Sequence, residues 1–207
     1  MSRLIDLSHD ITAQTPVYPG DPPVELQRLA SVQRDGYAMW QLSACMHAGT
    51  HVDAPMHFLD DGRPIGAYAL DSFCAPGVLL DVRGQARIDM RASYEALALD
   101  GAAVLLWTGS ERAYGTGAYY DAHPEVTCAL ARFLVQAGVK IVGMDMPSPD
   151  RAPFTAHRIL LEGGVFLVEN LKNLSLAEQA GAFEFFALPL KISAEASLVR
   201  AFLRTEM

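Results

Sequence analysis

Short apolar runs set between proline- and glycine-rich turns impose the tightest limit on what this 207-residue chain can fold into. The runs Gly77–Val82, Ala103–Thr108, Lys140–Met144, Val165–Val168 and Phe185–Pro189 are too short for amphipathic helices. Turn signals bound them, among them Pro19-Gly20-Asp21-Pro22-Pro23, Asp60-Asp61-Gly62, Ala75-Pro76-Gly77, Pro147-Ser148-Pro149-Asp150 and Gly163-Gly164. Such runs read as strands. Helical patterns are fewer: Arg91–Leu97, a short turn at Leu174–Gln179, and Pro124–Ala137, which opens on proline and is followed by Gly138. The expectation is one α/β domain over residues 1–207, with a mixed sheet or partial barrel and few helices. A chain of this length can bury one sizeable core. The stretch around residues 16–33, polar and rich in proline from Tyr18 to Gln33, is expected to form an arm that packs on a partner subunit or the substrate.

Charge and composition remove several functions. The net charge is −8, and the lysines and arginines are scattered, so no basic surface for nucleic acid is expected. No apolar run approaches the roughly 18–20 residues that cross a bilayer, and Met1-Ser2-Arg3-Leu4-Ile5-Asp6 lacks the apolar segment of a signal peptide. Cys45, Cys74 and Cys128 are an odd, dispersed set, which fits a reducing compartment and a cytoplasmic location.

The chemistry concentrates in one string. Of six histidines, His47, His51 and His57 fall within eleven residues, with Asp53 among them. Imidazole and carboxylate are the ordinary ligands of Zn, Mn and Fe(II). A His-rich surface turn would have polar neighbours, whereas these flanks are Leu42, Ala44, Met46, Val52, Ala54 and Phe58. Gly49, Thr50, Val52 and Pro55 are poor helix material, so a strand is expected, with positions 47, 51 and 53 facing one way. Full extension would hold His47 and His51 roughly 13 Å apart, near the limit for sharing an ion. A bend at Gly49-Thr50 is therefore predicted, and Pro55 should end the pairing and bring His57 in from another direction. Cys45 shares the parity of His47 and is assigned to core packing. Downstream, Thr155 is a candidate cap for a short helix carrying His157. Glu169 closes an apolar strand, where a carboxylate either reaches solvent or serves a polar or cationic site.

The string His47-x-Gly49-Thr50-His51-x-Asp53-x-Pro55-x-His57 resembles the signature of the cyclase-like metal-dependent hydrolases, and the chain is most similar to the kynurenine formamidase (arylformamidase) branch. Matches run over nearly the whole chain: Asp6-Leu7-Ser8, Pro16-Val17-Tyr18-Pro19-Gly20-Asp21, Gly143-x-Asp145, Ser148-x-Asp150, His157, Glu169-Asn170-Leu171, Pro189-Leu190-Lys191 and Val199-Arg200. The resemblance implies a swivelling β/β/α fold, a homodimer or homotetramer, and two divalent ions per subunit, Zn ahead of Mn. It implies that His47, His51 and Asp53 hold one ion, that Asp53 bridges to a second held by His157, and that Glu169 contacts both. It makes His57 the proton donor and acceptor. Tyr18 occupies an aromatic position against the substrate, often Trp in the formamidases.

Cations in such a site acidify water and polarise a carbonyl, and His57 has the ordinary pKa for returning a proton to a leaving amine. The expected substrate is a small amide, N-formyl-L-kynurenine foremost. The rivals are a cyclic amide or lactone of the isatin kind, and a metal-binding protein without turnover.

Overall fold

The structure is a computed structural model and describes residues 3–205; the first and last two residues, to which the expected domain extends, lie outside the described residues. Thirteen strands run in chain order: β1 (Arg3–Asp6), β2 (Glu25–Ala30), β3 (Met39–Ser43), β4 (His51–Asp53), β5 (Cys74–Asp81), β6 (Arg87–Ile88), β7 (Ala103–Trp107), β8 (Glu125–Val126), β9 (Ile141–Met144), β10 (Phe166–Glu169), β11 (Phe183–Phe186), β12 (Ala196–Leu198) and β13 (Phe202–Thr205). The α-helices are α1 (Val32–Asp35), α2 (Gly117–Asp121), α3 (Cys128–Gln136), α4 (Thr155–Glu162) and α5 (Leu174–Glu178).

Nine strands form one curled sheet in the order β1-β13-β11-β5-β7-β9-β10-β4-β12. The middle four, β5, β7, β9 and β10, are parallel, and the strands outside them are antiparallel. Parallel strands are covered on both faces and so read as continuous apolar runs. Here Val104 and Leu106 point to one core with Val142 and Leu167, where α3 and α4 supply Leu130, Leu134 and Leu160. Leu105 and Trp107 point to a second core, which the curl closes with Ile5, Phe185 and Leu203. The expected α/β class and partial barrel are what the chain forms. Among the described residues no helix is long and apolar enough to cross a membrane.

Three local expectations need correction. The helix read as Pro124–Ala137 begins only at Cys128, because Glu125–Val126 is drawn into a parallel ladder with β6. Its cap is Thr127, whose side chain accepts from the Leu130 N–H at 3.3 Å. The Arg91–Leu97 pattern gives a 3₁₀ turn at Ala92–Ala96. The arm is part of an antiparallel ribbon, β2 with β3, that runs beyond Gln33 to Ser43. Every residue of β3 is exposed, including Trp40 at 56% and Leu42 at 49%.

Candidate active site

The site forms where the parallel strands end. In the antiparallel pair β4–β10, Glu169 lies opposite His51 and Leu167 opposite Asp53. Directly paired residues share a face, as do residues two apart on a strand. His51, Asp53 and Glu169 are thus brought together on the face that α4 covers, and all three are buried. Glu169 therefore serves a polar site rather than solvent.

His47 is not on the strand, as was expected of it. The chain turns over Cys45–Ala48, where the Ala48 N–H donates to the Cys45 carbonyl at 3.1 Å, and β4 begins only at His51. The predicted bend falls on Gly49, at φ +62°. A Cβ there would meet only the movable end of the Ile11 side chain, Cδ1 at 2.6 Å, so it is the positive φ that favours glycine. The bend brings the His47 and His51 rings to 4.9 Å between centroids. Because the segment leaves the strand, Cys45 is half-buried and joins neither core, contrary to its assigned packing role. Pro55 ends the pairing and opens a 3₁₀ turn, Pro55–His57. That turn sets the His57 ring 4.3 Å from His47 and 6.1 Å from His157.

His157 comes from α4. Thr155 is the first helical residue and not the cap; Phe154 precedes it at φ +58° with no side-chain cap of its own. The helix end is satisfied from a distance. Asp150 Oδ2 accepts from the Ala156 N–H at 2.6 Å, while Asp150 Oδ1 holds His157 Nδ1 at 2.7 Å. One carboxylate thus fixes both the helix and its histidine, leaving Nε2 of His157 directed at Glu169, 3.3 Å away. A carboxylate behind the distal nitrogen is how a metal-ligating histidine is oriented.

His51 is oriented by backbone. Its Nδ1 lies 2.9 Å from the Gly49 carbonyl, which also accepts from Asn170 Nδ2 at 2.9 Å. Tyr119 donates its hydroxyl to Asn170 Oδ1 at 2.7 Å and so fixes which way that amide faces. Asn170 adopts φ +56°, a left-handed conformation that asparagine tolerates better than most residues.

The charges are strongly coupled. Burial opposes the charged form of His47, yet the carboxylates of Asp53, Glu169 and Glu195 outweigh it and raise its pKa to about 9. The same opposition, with Asp150 and Glu169 as partners, raises His157 to about 9. Burial would raise Asp53, but the surrounding imidazoles hold it well below the usual carboxylate range. His57 goes the other way: burial lowers its pKa, and the neighbouring histidines His47 and His157 add to this against the pull of Asp53 and Glu169.

These residues fit a metal ion. Donor atoms of His47, Asp53 and His57, and again of His51, Asp53 and Glu169, lie within 4.8 Å of one another. His51 Nε2, both Asp53 oxygens and Glu169 Oε1 are buried without a hydrogen-bond partner. The close approaches among them, such as His51 Nε2 to Glu169 Oε2 at 3.3 Å, are not aligned as hydrogen bonds. A buried polar group left unsatisfied costs about 1–3 kcal/mol, more if charged. Four such atoms converging on one spot are what a bound cation would satisfy.

A cavity of about 260 Å³ opens onto this cluster. His47, His51, His57, His157 and Glu169 line its floor, and Asp53 lies beneath them. Tyr18, Tyr120, Phe58 and Phe154 form its walls. Tyr18 stands edge-on to Tyr120 at 5.8 Å between centroids. Every residue singled out from the sequence is therefore in this one place. Sequence reasoning assigned no role to Asp150, Asn170, Tyr119 or Glu195. The first two lie in motifs matched above, whereas nothing in the local pattern marks Tyr119 or Glu195, whose Oε1 reaches within 3.4 Å of His47 Nε2.

A curled sheet that gathers buried histidines and carboxylates beneath an aromatic-walled cavity makes a hydrolase active site with the donors for a metal. The chain belongs to the putative cyclase family, whose model matches residues 5–151. It is 30% identical to a kynurenine formamidase of Bacillus anthracis, over 98% of both chains. The isatin hydrolase A of Labrenzia aggregata, solved with benzyl benzoate, shares the fold at a TM-score of 0.87 and 23% identity, covering 100% of this chain and 94% of that one. A solved potential metal-dependent hydrolase with cyclase activity superposes at 0.84, with 24% identity and full coverage of both chains.

Proposed function

We propose that this protein is a metal-dependent arylformamidase that hydrolyses N-formyl-L-kynurenine to L-kynurenine and formate, a step of tryptophan degradation in the cytoplasm. The observation that carries the reading is the position of His57. It adjoins the buried donor cluster, faces the cavity, and has no side-chain hydrogen bond among the described residues that would lock it in place. A purely structural metal site needs no spare acid or base beside it.

In this reading His47, His51, Asp53, His157 and Glu169 would hold two divalent cations; zinc is the preferred ion and manganese the alternative. Such a cation supplies an activated water near neutral pH and a Lewis acid for the carbonyl oxygen. The residues of the chain do the rest. Tyr18 and Tyr120 hold the aryl ring. Asp150 and the Gly49 carbonyl keep His157 and His51 in the orientation that presents Nε2. His57 takes the proton released by the attacking water and returns it to the aniline nitrogen as the C–N bond breaks. An imidazole, with an ordinary pKa of about 6.5, can serve as base and acid in these two steps. The exposed apolar side chains of the β2–β3 ribbon support a homodimer or homotetramer.

The deciding measurement is turnover of N-formyl-L-kynurenine and of isatin, side by side, by protein stripped with chelator and reloaded with Zn or Mn. Faster hydrolysis of the formamide, lost on stripping and regained on reloading, is expected. Preference for isatin would sink the substrate assignment, and activity that survives stripping would sink the metal.

A further inference from the structure

We propose that Asp21 is a specificity-determining residue that binds the ammonium group of the substrate. The proposal rests on the formamidase reading and names the part of the substrate that this chain selects.

Asp21 lines the same cavity as the histidine cluster, on the side walled by Tyr18 and Tyr120. It is half-buried, and among the described residues its carboxylate has no ion pair or hydrogen bond. Its position is set by a turn: the Asp21 N–H donates to the Tyr18 carbonyl at 3.0 Å, and Gly20 at φ +102° lets the chain reverse. The carboxylate is felt by the cavity wall. Burial and then Asp21 push the Tyr120 phenol up to about 12.

Equally informative is what shares the cavity. Among its described lining residues there is no lysine and no arginine. A carboxylate on the substrate would therefore meet no fixed cation away from the site floor. An ammonium would meet Asp21 at charge-assisted hydrogen-bond strength, beside the tyrosines that hold the aryl ring. An aryl amide bearing a side arm with an ammonium satisfies this wall, whereas a neutral bicyclic amide leaves Asp21 desolvated and unpaired.

The test compares N-formyl-L-kynurenine with its des-amino analogue, in which hydrogen replaces the ammonium. Both are assayed with the metal-loaded wild type and with Asp21→Asn and Asp21→Glu, and binding of the two corresponding amine products is measured calorimetrically. The wild type should favour the ammonium substrate in kcat/KM, mainly through KM. In Asp21→Asn that preference should shrink by about tenfold or more, the scale of one charge-assisted hydrogen bond. Asp21→Glu, which keeps the charge, should retain part of it. Product affinities should follow the same pattern. If both substrates are hydrolysed and the ratio is the same in wild type and Asp21→Asn, the ammonium site is wrong while the formamidase reading stands. If the wild type hydrolyses neither, the formamidase reading fails and takes the site with it.

Discussion

The end of the sheet and the β2–β3 ribbon invert the usual polarity of a folded chain in opposite senses. At the sheet end, His51, Asp53, His157 and Glu169 are polar and buried. Along the ribbon, Leu26, Met39, Trp40 and Leu42 are apolar and exposed. Buried charge is tolerated only when paired or bound to a cation, and a large exposed apolar patch usually marks a contact surface. We propose that each region is incomplete in the isolated chain and that they lack different things. The first calls for ions, and its geometry is already built by the core. The second calls for a surface, and in the single chain it is a hairpin with its own hydrogen bonds and little packing. A two-stranded ribbon alone is at best marginally stable.

This contrast can be broken at graded points. Asp53→Ala removes a carboxylate common to both donor groups and should abolish metal binding and activity together, as read by metal analysis and assay. His57→Ala should keep most of the metal but lose about 10²–10⁴-fold in kcat, the range of general acid–base catalysis. Equal metal loss in both variants would make His57 a ligand and end its separate role. Asp150→Asn keeps the shape but weakens the hold on His157 Nδ1 and the α4 end; metal affinity should fall about 10–100-fold in a chelator competition. On the ribbon, Trp40→Ser with Leu42→Ser should shift the assembly toward monomer in light scattering and leave the metal content of the sheet end alone. A variant that stays assembled would show that the ribbon is not the interface.

The smallest effect lies just behind the site. His9 stacks on Tyr114 at 3.6 Å, and its backbone N–H donates to Thr50 Oγ1. Burial lowers its pKa from 6.5 to about 4, Lys172 adds to this, and Asp10 opposes it. The unfolded chain therefore binds the extra proton first, so stability should fall as pH drops from 6.5 towards 4. With its partial exposure discounted, this is about 1–2 kcal/mol. His9→Phe keeps the stack and should flatten denaturation midpoints over that window.

The parts that were legible in the sequence share a physical cause. β7, β9 and β10 are buried at every position, so their residues are nearly all apolar and announce themselves within a residue of their true ends, whereas β5 is buried only at Ala75 and Leu80 and starts three residues before the run that marked it. Gly49 announced the bend because a dense ligand string cannot stay extended, and the positive φ bears that out. What escaped notice depends on partners outside the local pattern. Glu125–Val126 looks like the start of a helix until Arg87–Ile88 pairs with it. Thr155 looks like a cap until Asp150 reaches the Ala156 N–H instead.

By itself, the sequence determined the metal-type donor set, the class of the fold and the bend at Gly49, because residue chemistry and backbone preference are local properties. Only the tertiary structure decided that Glu169 stands opposite His51, that Asp150 turns His157 towards it, and that Asp21 lines the same cavity with no counter-ion among the described residues. Strand register, helix docking and burial set those relations, and each couples residues that neither spacing nor composition connects.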